Sequence, residues 1–536
     1  MPLRTLTPTR LMIALLIGGG LLRLWLASAI GLGVDESYMV AIARHWSLSY
    51  FDHPPLAFWL VGATRWLVGS ESAALLRLPF ILLFAGSSWL LFRLAARQFG
   101  EWAGWYSALL FNLAPVFTLS TASWILPDGL LIFWWLVSLS CLLRVAPSNP
   151  SHDHQPAIWG WWLASGIALG LAMLSKYTAV FLPLAVLVFL LSHPHHRRWL
   201  RHPAPWIAAA LAIALFSPVI IWNSQHQWIS LAFQGNRGMP SPTESSFFAL
   251  YPEKMAAALA GQAAYLMPWL WLPLMVILLR AFGRGLRDPS ARMSPAWLFS
   301  VSAVIMIGFF ALTALWAGGR ILPHWPSPGY LMALPLLGAA IDAARLNPLA
   351  NRLATTRLFT PGRRIIRGWL WGSGAILLLL LLLLRWHMDS GWAQRHWPTT
   401  LRQDPTVELL DWWALPQALT AGGLLDHPRL LVASPHWAQA GKIDRALAGQ
   451  LPVQCLGDDP RHYGMLVDRD RYKGWDVLLV LAKKSHEAPP TLAEVQQQFG
   501  HYAEDLTPLS TVPIGRADFP SLQLYLYWGK NFNGLP

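Results

Sequence analysis

Apolar runs organise this chain. A helix that crosses a hydrocarbon core of about 30 Å needs about 20 predominantly apolar residues. Roughly eleven runs near that length lie close to 11–30, 73–97, 103–119, 128–145, 159–175, 178–192, 205–222, 256–280, 296–316, 327–343 and 368–385. The first two are separated by a long loop, 31–72. Beyond Arg385 the pattern changes: acidic residues recur from Asp389 to Asp518, and short strand signals replace the long runs. The strongest strand signal is Val477–Leu481, with weaker ones at Leu430–Ala433 and Leu522–Tyr527. Helical periodicity marks 436–451 and 492–499. The pattern predicts a polytopic α-helical membrane part over 1–385 and a small α/β domain outside the membrane over 386–536.

Composition strengthens this reading. Of 536 residues, 55% are hydrophobic and only 12% charged, where a soluble domain carries about 25% charged residues. The net charge of +13 is spread in short clusters between apolar runs, the pattern of membrane-flanking loops rather than of a basic nucleic-acid face. Nucleic acid is therefore excluded as a partner, and membrane lipids are expected. Cys141 and Cys455 are too few for a disulfide framework, and no metal-type cysteine spacing exists. Arg4 and Arg10 precede the first apolar run as in a signal peptide, but the many runs that follow favour an uncleaved span. With that end cytoplasmic, most loop arginines, including Arg93, Arg97, Arg144, Arg284 and Arg287, share one side. The positive-inside rule then places the C-terminal domain on the opposite, outer face.

Acids are scarce before residue 385, so each is informative. Asp35 and Glu36 follow the first run, Asp52 and His53 lie in the same loop, and Asp128 follows Pro127 at the start of a later run. In this topology Lys176, Arg237, Arg320 and His324 emerge on the same outer side. Each has a plainer account: Asp128 after a proline suits the first turn of a helix, and Asp52 before Pro-rich sequence suits a turn. As a set they fit transfer of a sugar from a lipid phosphate. A carboxylate takes a proton from the attacking hydroxyl, and a cation or a metal stabilises the departing phosphate. The glycines at 18–20 serve helix packing better than phosphate binding, and most of the 32 tryptophans suit an interfacial belt.

The string Val34-Asp35-Glu36-Ser37-Tyr38, followed by Tyr50–Pro55, resembles the first outer loop of the protein-mannosyltransferase-like superfamily. These are GT-C fold enzymes of glycosyltransferase family 39 and its relatives, which use dolichyl- or undecaprenyl-phosphate sugars. Pro127-Asp128, Leu174–Thr178, Phe233-Gln234 with Arg237, and His324-Trp325-Pro326 extend the likeness, closest to the bacterial lipid A aminoarabinose and galacturonic acid transferases. The resemblance implies that Asp35 is the catalytic acid of the first loop, with Glu36 beside it, and that Asp128 is the second acidic position. Lys176, Arg237 and Arg320 become candidates for the carrier phosphate, and Asp52, His53 and His324 for substrate contact. The resemblance fixes no cofactor, and a divalent metal at Asp35 stays open.

The expectation is an inverting glycosyltransferase of the bacterial inner membrane with a periplasmic active site. Its donor would be a polyprenyl-phosphate sugar and its acceptor an envelope glycolipid, glycan or protein. A lipid-linked sugar transporter or flippase, or a non-catalytic envelope assembly protein, are the alternatives. A transporter would show repeated halves and polar residues at mid-span. Here the polar groups sit at run ends.

Overall fold

A computed structural model describes residues 7–145, 156–240, 250–319, 321–346, 362–396, 404–466, 469–516 and 519–534. Nine described helices are long and apolar enough to cross a membrane, by length and composition. Four are α1 (Pro8–Ala29), α4 (Ala73–Phe99), α7 (Pro127–Val145) and α8 (Pro156–Ser175). The others are Pro203–Gln225, Pro268–Arg287, Pro295–Thr313, Ser327–Leu346 and Arg363–Ser390. A bent pair, Tyr177–Leu191 with Pro194–Arg201 at 114°, would make a tenth.

Two further expected runs differ, and proline breaks both. The 103–119 run is two helices, α5 (Glu101–Leu113) and α6 (Pro115–Ser120), broken at Ala114, which is extended ahead of Pro115. A residue before proline is pushed out of the helical region. The 256–280 run breaks at Met267, which has positive φ ahead of Pro268, leaving Pro252–Leu266 and Pro268–Arg287. Hydropathy alone does not register such breaks. Between α1 and α4 lie the short first-loop helices α2 (Val34–Ile42) and α3 (Leu56–Val68).

The chain packs as two compact units, neither continuous in sequence. One comprises 1–24, 48–57 and 78–378; the other comprises 25–47, 58–77 and 379–536. In the first, small residues let helices approach. A side chain at Gly166 would lie 2.4 Å from the Ala208 carbonyl oxygen, and one at Gly338 2.3 Å from the Ser107 hydroxyl. Close backbone approach of this kind supplies packing where lipid offers no hydrophobic drive between helices. Many outward leucines, such as Leu82, Leu272, Leu279 and Leu312, stay exposed, as a lipid-facing surface requires.

The second unit contains a five-stranded sheet in the order β2-β1-β3-β5-β4. The strands are β1 (Leu430–Ser434), β2 (Val453–Cys455), β3 (Asp476–Lys484), β4 (Glu504–Arg516) and β5 (Phe519–Lys530). The β1 strand pairs in parallel with β2 and β3, whereas β3–β5 and β5–β4 are antiparallel. All three strands expected from the sequence are present, as are helices Trp437–Leu447 and Leu492–Phe499. The sequence pattern missed β2, only 3 residues long, and β4. The latter is a polar edge strand carrying Pro508 and Pro513, prolines that only an edge tolerates.

Candidate active site

In the first unit, chain direction builds the central feature. Successive helices α7 and α8 pack together and run antiparallel, so the start of α7 lies beside the end of α8. Asp128 occupies the first turn of α7, behind Pro127, and Lys176 directly follows α8. The Lys176 Nζ donates to both Asp128 carboxylate oxygens at 2.8 Å, and both residues are buried. The α7 N-terminus favours the anion and the α8 C-terminus the cation, so each helix end reinforces its half of the pair.

Four other expected residues join this cluster. His53 and His324 both lie within electrostatic reach of Asp128, Lys176 and Arg237. Burial pushes each imidazole down to about 4, so both are neutral near pH 7. Among the described residues, His53 Nδ1 is buried without a hydrogen-bond partner, as are the Thr178 and Ser327 hydroxyls on neighbouring elements. Buried polar atoms left unpaired call for an explanation, and a polar ligand supplies one. Arg237 ends the helix Ile229–Asn236; its guanidinium lies 4.7 Å from the Phe233 ring centroid and 5.5 Å from that of Trp325. Asp52 is buried, and its backbone carbonyl accepts a hydrogen bond from the Gln234 side chain, tying the first loop to the Arg237 helix. Tyr265, hydrogen-bonded to Ser120 at 2.7 Å, also feels the charge of Asp128. Arg320 lies outside the described residues.

Asp35 and Glu36 belong to the second unit, in the first turn of α2, and their surroundings differ. Asp35 is exposed. Glu36 is buried, with both carboxylate oxygens engaged by Arg77 at 2.8 and 2.5 Å and a further bond from the Gly33 amide at 2.8 Å. Arg77 also donates to the carbonyls of Ile30 at 2.6 Å and Gly31 at 2.8 Å. The C-terminal domain holds the same segment: Lys442 donates to the carbonyls of Leu32 and Leu410, and Asp411 accepts from the Leu32 amide at 3.3 Å. Burial brings the Lys442 ammonium down to about 8. Arg44, near the end of α2, bridges Glu71 at 2.7 Å and Asp444. Where α2 crosses helix Trp437–Leu447, a side chain at Gly441 would lie 2.9 Å from the Tyr38 backbone.

Arg77, Lys442, Arg44 and Asp444 are absent from the sequence-level candidates. A lone arginine in the apolar stretch Ala73–Phe80 was a usable signal, since a charge there needs a partner; the others had none. Among the described residues no cluster of three or more His, Cys, Asp or Glu side chains is set to hold a metal ion, and Glu36 is already committed to Arg77.

The family model for dolichyl-phosphate-mannose-protein mannosyltransferase matches residues 52–222, a stretch that includes Asp52, His53, Asp128 and Lys176. The structure of ArnT from Cupriavidus metallidurans bound to undecaprenyl phosphate aligns over 97% of both chains, with a TM-score of 0.60 and 17% identity. The fold is GT-C. On sequence, a lipid A galacturonosyltransferase, RgtD, of Rhizobium johnstonii is 29% identical over 36% of this chain and 38% of its own length. An undecaprenyl phosphate-alpha-4-amino-4-deoxy-L-arabinose arabinosyl transferase of Erwinia tasmaniensis is 23% identical over 57% of this chain and 53% of its own. The matches thus span about two-fifths and about half of these relatives. The likeness to family 39 and its lipid A-modifying branch, read from the first loop, stands on the family match, these relatives and the fold.

Proposed function

We propose that this GT-C protein is a glycosyltransferase that moves a sugar from an undecaprenyl-phosphate-type donor to an envelope glycolipid, glycan or protein acceptor. The observation that carries the reading is the Asp128–Lys176 pair with Arg237, His53 and His324 around it. A buried cation held in place, a second guanidinium nearby and two uncharged imidazoles suit the phosphodiester that joins a sugar to a lipid. A charged phosphate head meets fixed positive charge, and the neutral rings present hydrogen-bonding nitrogens to hydroxyls.

The reaction is a single displacement with inversion. An acceptor hydroxyl attacks the anomeric carbon, the bond from that carbon to the phosphate oxygen breaks, and the carrier departs as a phosphate monoester. The first-loop resemblance assigns acceptance of the hydroxyl proton to Asp35, whereas Glu36 positions the α2 turn through Arg77. Lys176 and Arg237 stabilise the charge that grows on the leaving phosphate, and Asp128 fixes the Lys176 ammonium. Loop arginine asymmetry supports placing the reaction on the periplasmic face of the inner membrane. An assay on the full chain in lipid, offering a panel of undecaprenyl-phosphate sugars with membrane extract as acceptor source, tests this. The expected result is release of free carrier phosphate, seen by mass spectrometry and abolished in a normally folded Asp35→Asn variant. No release from any donor would overturn the transferase reading; undiminished release by the variant would remove Asp35 as base.

A further inference from the structure

A second polar feature lies at the other end of α7. Asp128 begins that helix and Arg144 lies near its end, roughly 24 Å along the axis at 1.5 Å per residue. There a cavity of about 230 Å³ is lined by Arg93, Arg97 and Gln98 of α4 and by Ser140 and Arg144 of α7, over an apolar floor that includes Trp89. The spacing explains the convergence. Residues 89, 93 and 97 follow i, i+4, i+8 on one face of α4, and 140 and 144 follow i, i+4 on one face of α7. The cavity is therefore amphipathic by construction, with guanidiniums at its rim and an indole and leucines beneath.

Three like charges around one small space repel, and among the described residues no ion pair is recorded for any of them. The exposed Arg144 guanidinium nevertheless stacks on α8, 3.6 Å from the centroid of the Trp161 ring. Its volume falls below the roughly 300–1,000 Å³ of whole-ligand pockets, so it suits a compact anionic head whose apolar remainder lies elsewhere. We infer that this cavity is a binding site for the phosphodiester head of an anionic phospholipid, its phosphate between the three arginines and its glycerol end on the Trp89 side. Basic pockets between membrane helices bind such heads, and the site is independent of the transferase reading.

The test is lipid retention by the full chain. Protein from vesicles of phosphatidylglycerol and phosphatidylcholine is transferred to detergent, and bound lipid is measured by native mass spectrometry. The parent protein should retain phosphatidylglycerol selectively. Removing two arginines in Arg97→Gln/Arg144→Gln should weaken that retention roughly thirtyfold, at about 1 kcal/mol per basic residue. Ser140→Trp, which fills the cavity and keeps every arginine, should weaken it as well and guards against a folding defect in the first variant. The control is Arg284→Gln/Arg287→Gln, an exposed basic pair at the end of helix Pro268–Arg287, which should leave retention unchanged. Equal loss in the control, equal retention of phosphatidylcholine, or full retention by Ser140→Trp would each overturn the site. Displacement of the lipid by equimolar inorganic phosphate would reassign it to a free anion and overturn the lipid assignment.

Discussion

Cutting the Asp128–Lys176 pair from either side separates folding from chemistry. Asp128→Asn keeps the shape but leaves the Lys176 ammonium buried beside a neutral amide. Lys176→Met leaves the Asp128 carboxylate buried without its donor. Removing one partner of a buried pair costs about 3–5 kcal/mol. The amide still accepts one bond, and both groups sit at helix ends whose dipoles retain about 0.3–1 kcal/mol each. About 3 kcal/mol per single variant is therefore expected. In Asp128→Asn/Lys176→Met no unpaired charge remains, so the double variant should lose about 1–2 kcal/mol rather than the sum of about 6 kcal/mol. Reversible denaturant titration of the full chain in mixed micelles reads these values. Additivity within about 0.5 kcal/mol would refute the pairing. Transfer should respond differently: both the Lys176→Met single and the double variant should lose about a hundredfold, or about 2.7 kcal/mol of transition-state stabilisation. Transfer that returns with stability in the double variant would refute a phosphate role for Lys176.

Arg77→Met strips Glu36 of its buried cation and should cost about 3–5 kcal/mol, with a smaller loss in Glu36→Gln; equal losses would contradict a charge clamp at the α2 turn. Gly441→Leu drives a side chain into the Tyr38 backbone and should cost about 1–3 kcal/mol, read by the same titration. His53 and His324 bind fewer protons folded, near 4, than unfolded, near 6.5. Their contribution to stability is therefore full above about 6.5 and is lost as pH falls toward 4. An acid titration should show a shallower loss over that window in His53→Asn/His324→Asn than in the parent, and an unchanged slope would refute neutral histidines in this cluster.

How much was legible before packing can be followed residue by residue. A membrane core admits only segments that satisfy their own backbone, so span existence is written locally as apolar length, and each of the nine long helices overlaps an expected run. Strands β1, β3 and β5 were visible for the same local reason, as apolar runs in a sheet centre. Breaks at Ala114 and Met267 escaped because hydropathy averages over a proline that the backbone does not ignore. Candidate chemistry was legible through scarcity: a carboxylate at a run end is costly enough near lipid to need a purpose, which singled out Asp35 and Asp128.

Partnership was not legible. Asp128 and Lys176 are 48 positions apart, Glu36 and Arg77 are 41 apart, and Arg44 and Asp444 are 400 apart. Nothing in the spacing distinguishes an acid that will be buried from its neighbour that stays exposed. Glu36 and Asp35 are adjacent in the chain, yet one turn of α2 buries the first against Arg77 and exposes the second. Local sequence determines which segments leave water, because that free energy scales with each segment's own apolar surface. Which charges meet is decided by helix direction and close crossings, and a desolvated charge is tolerable only where that packing delivers its counter-charge.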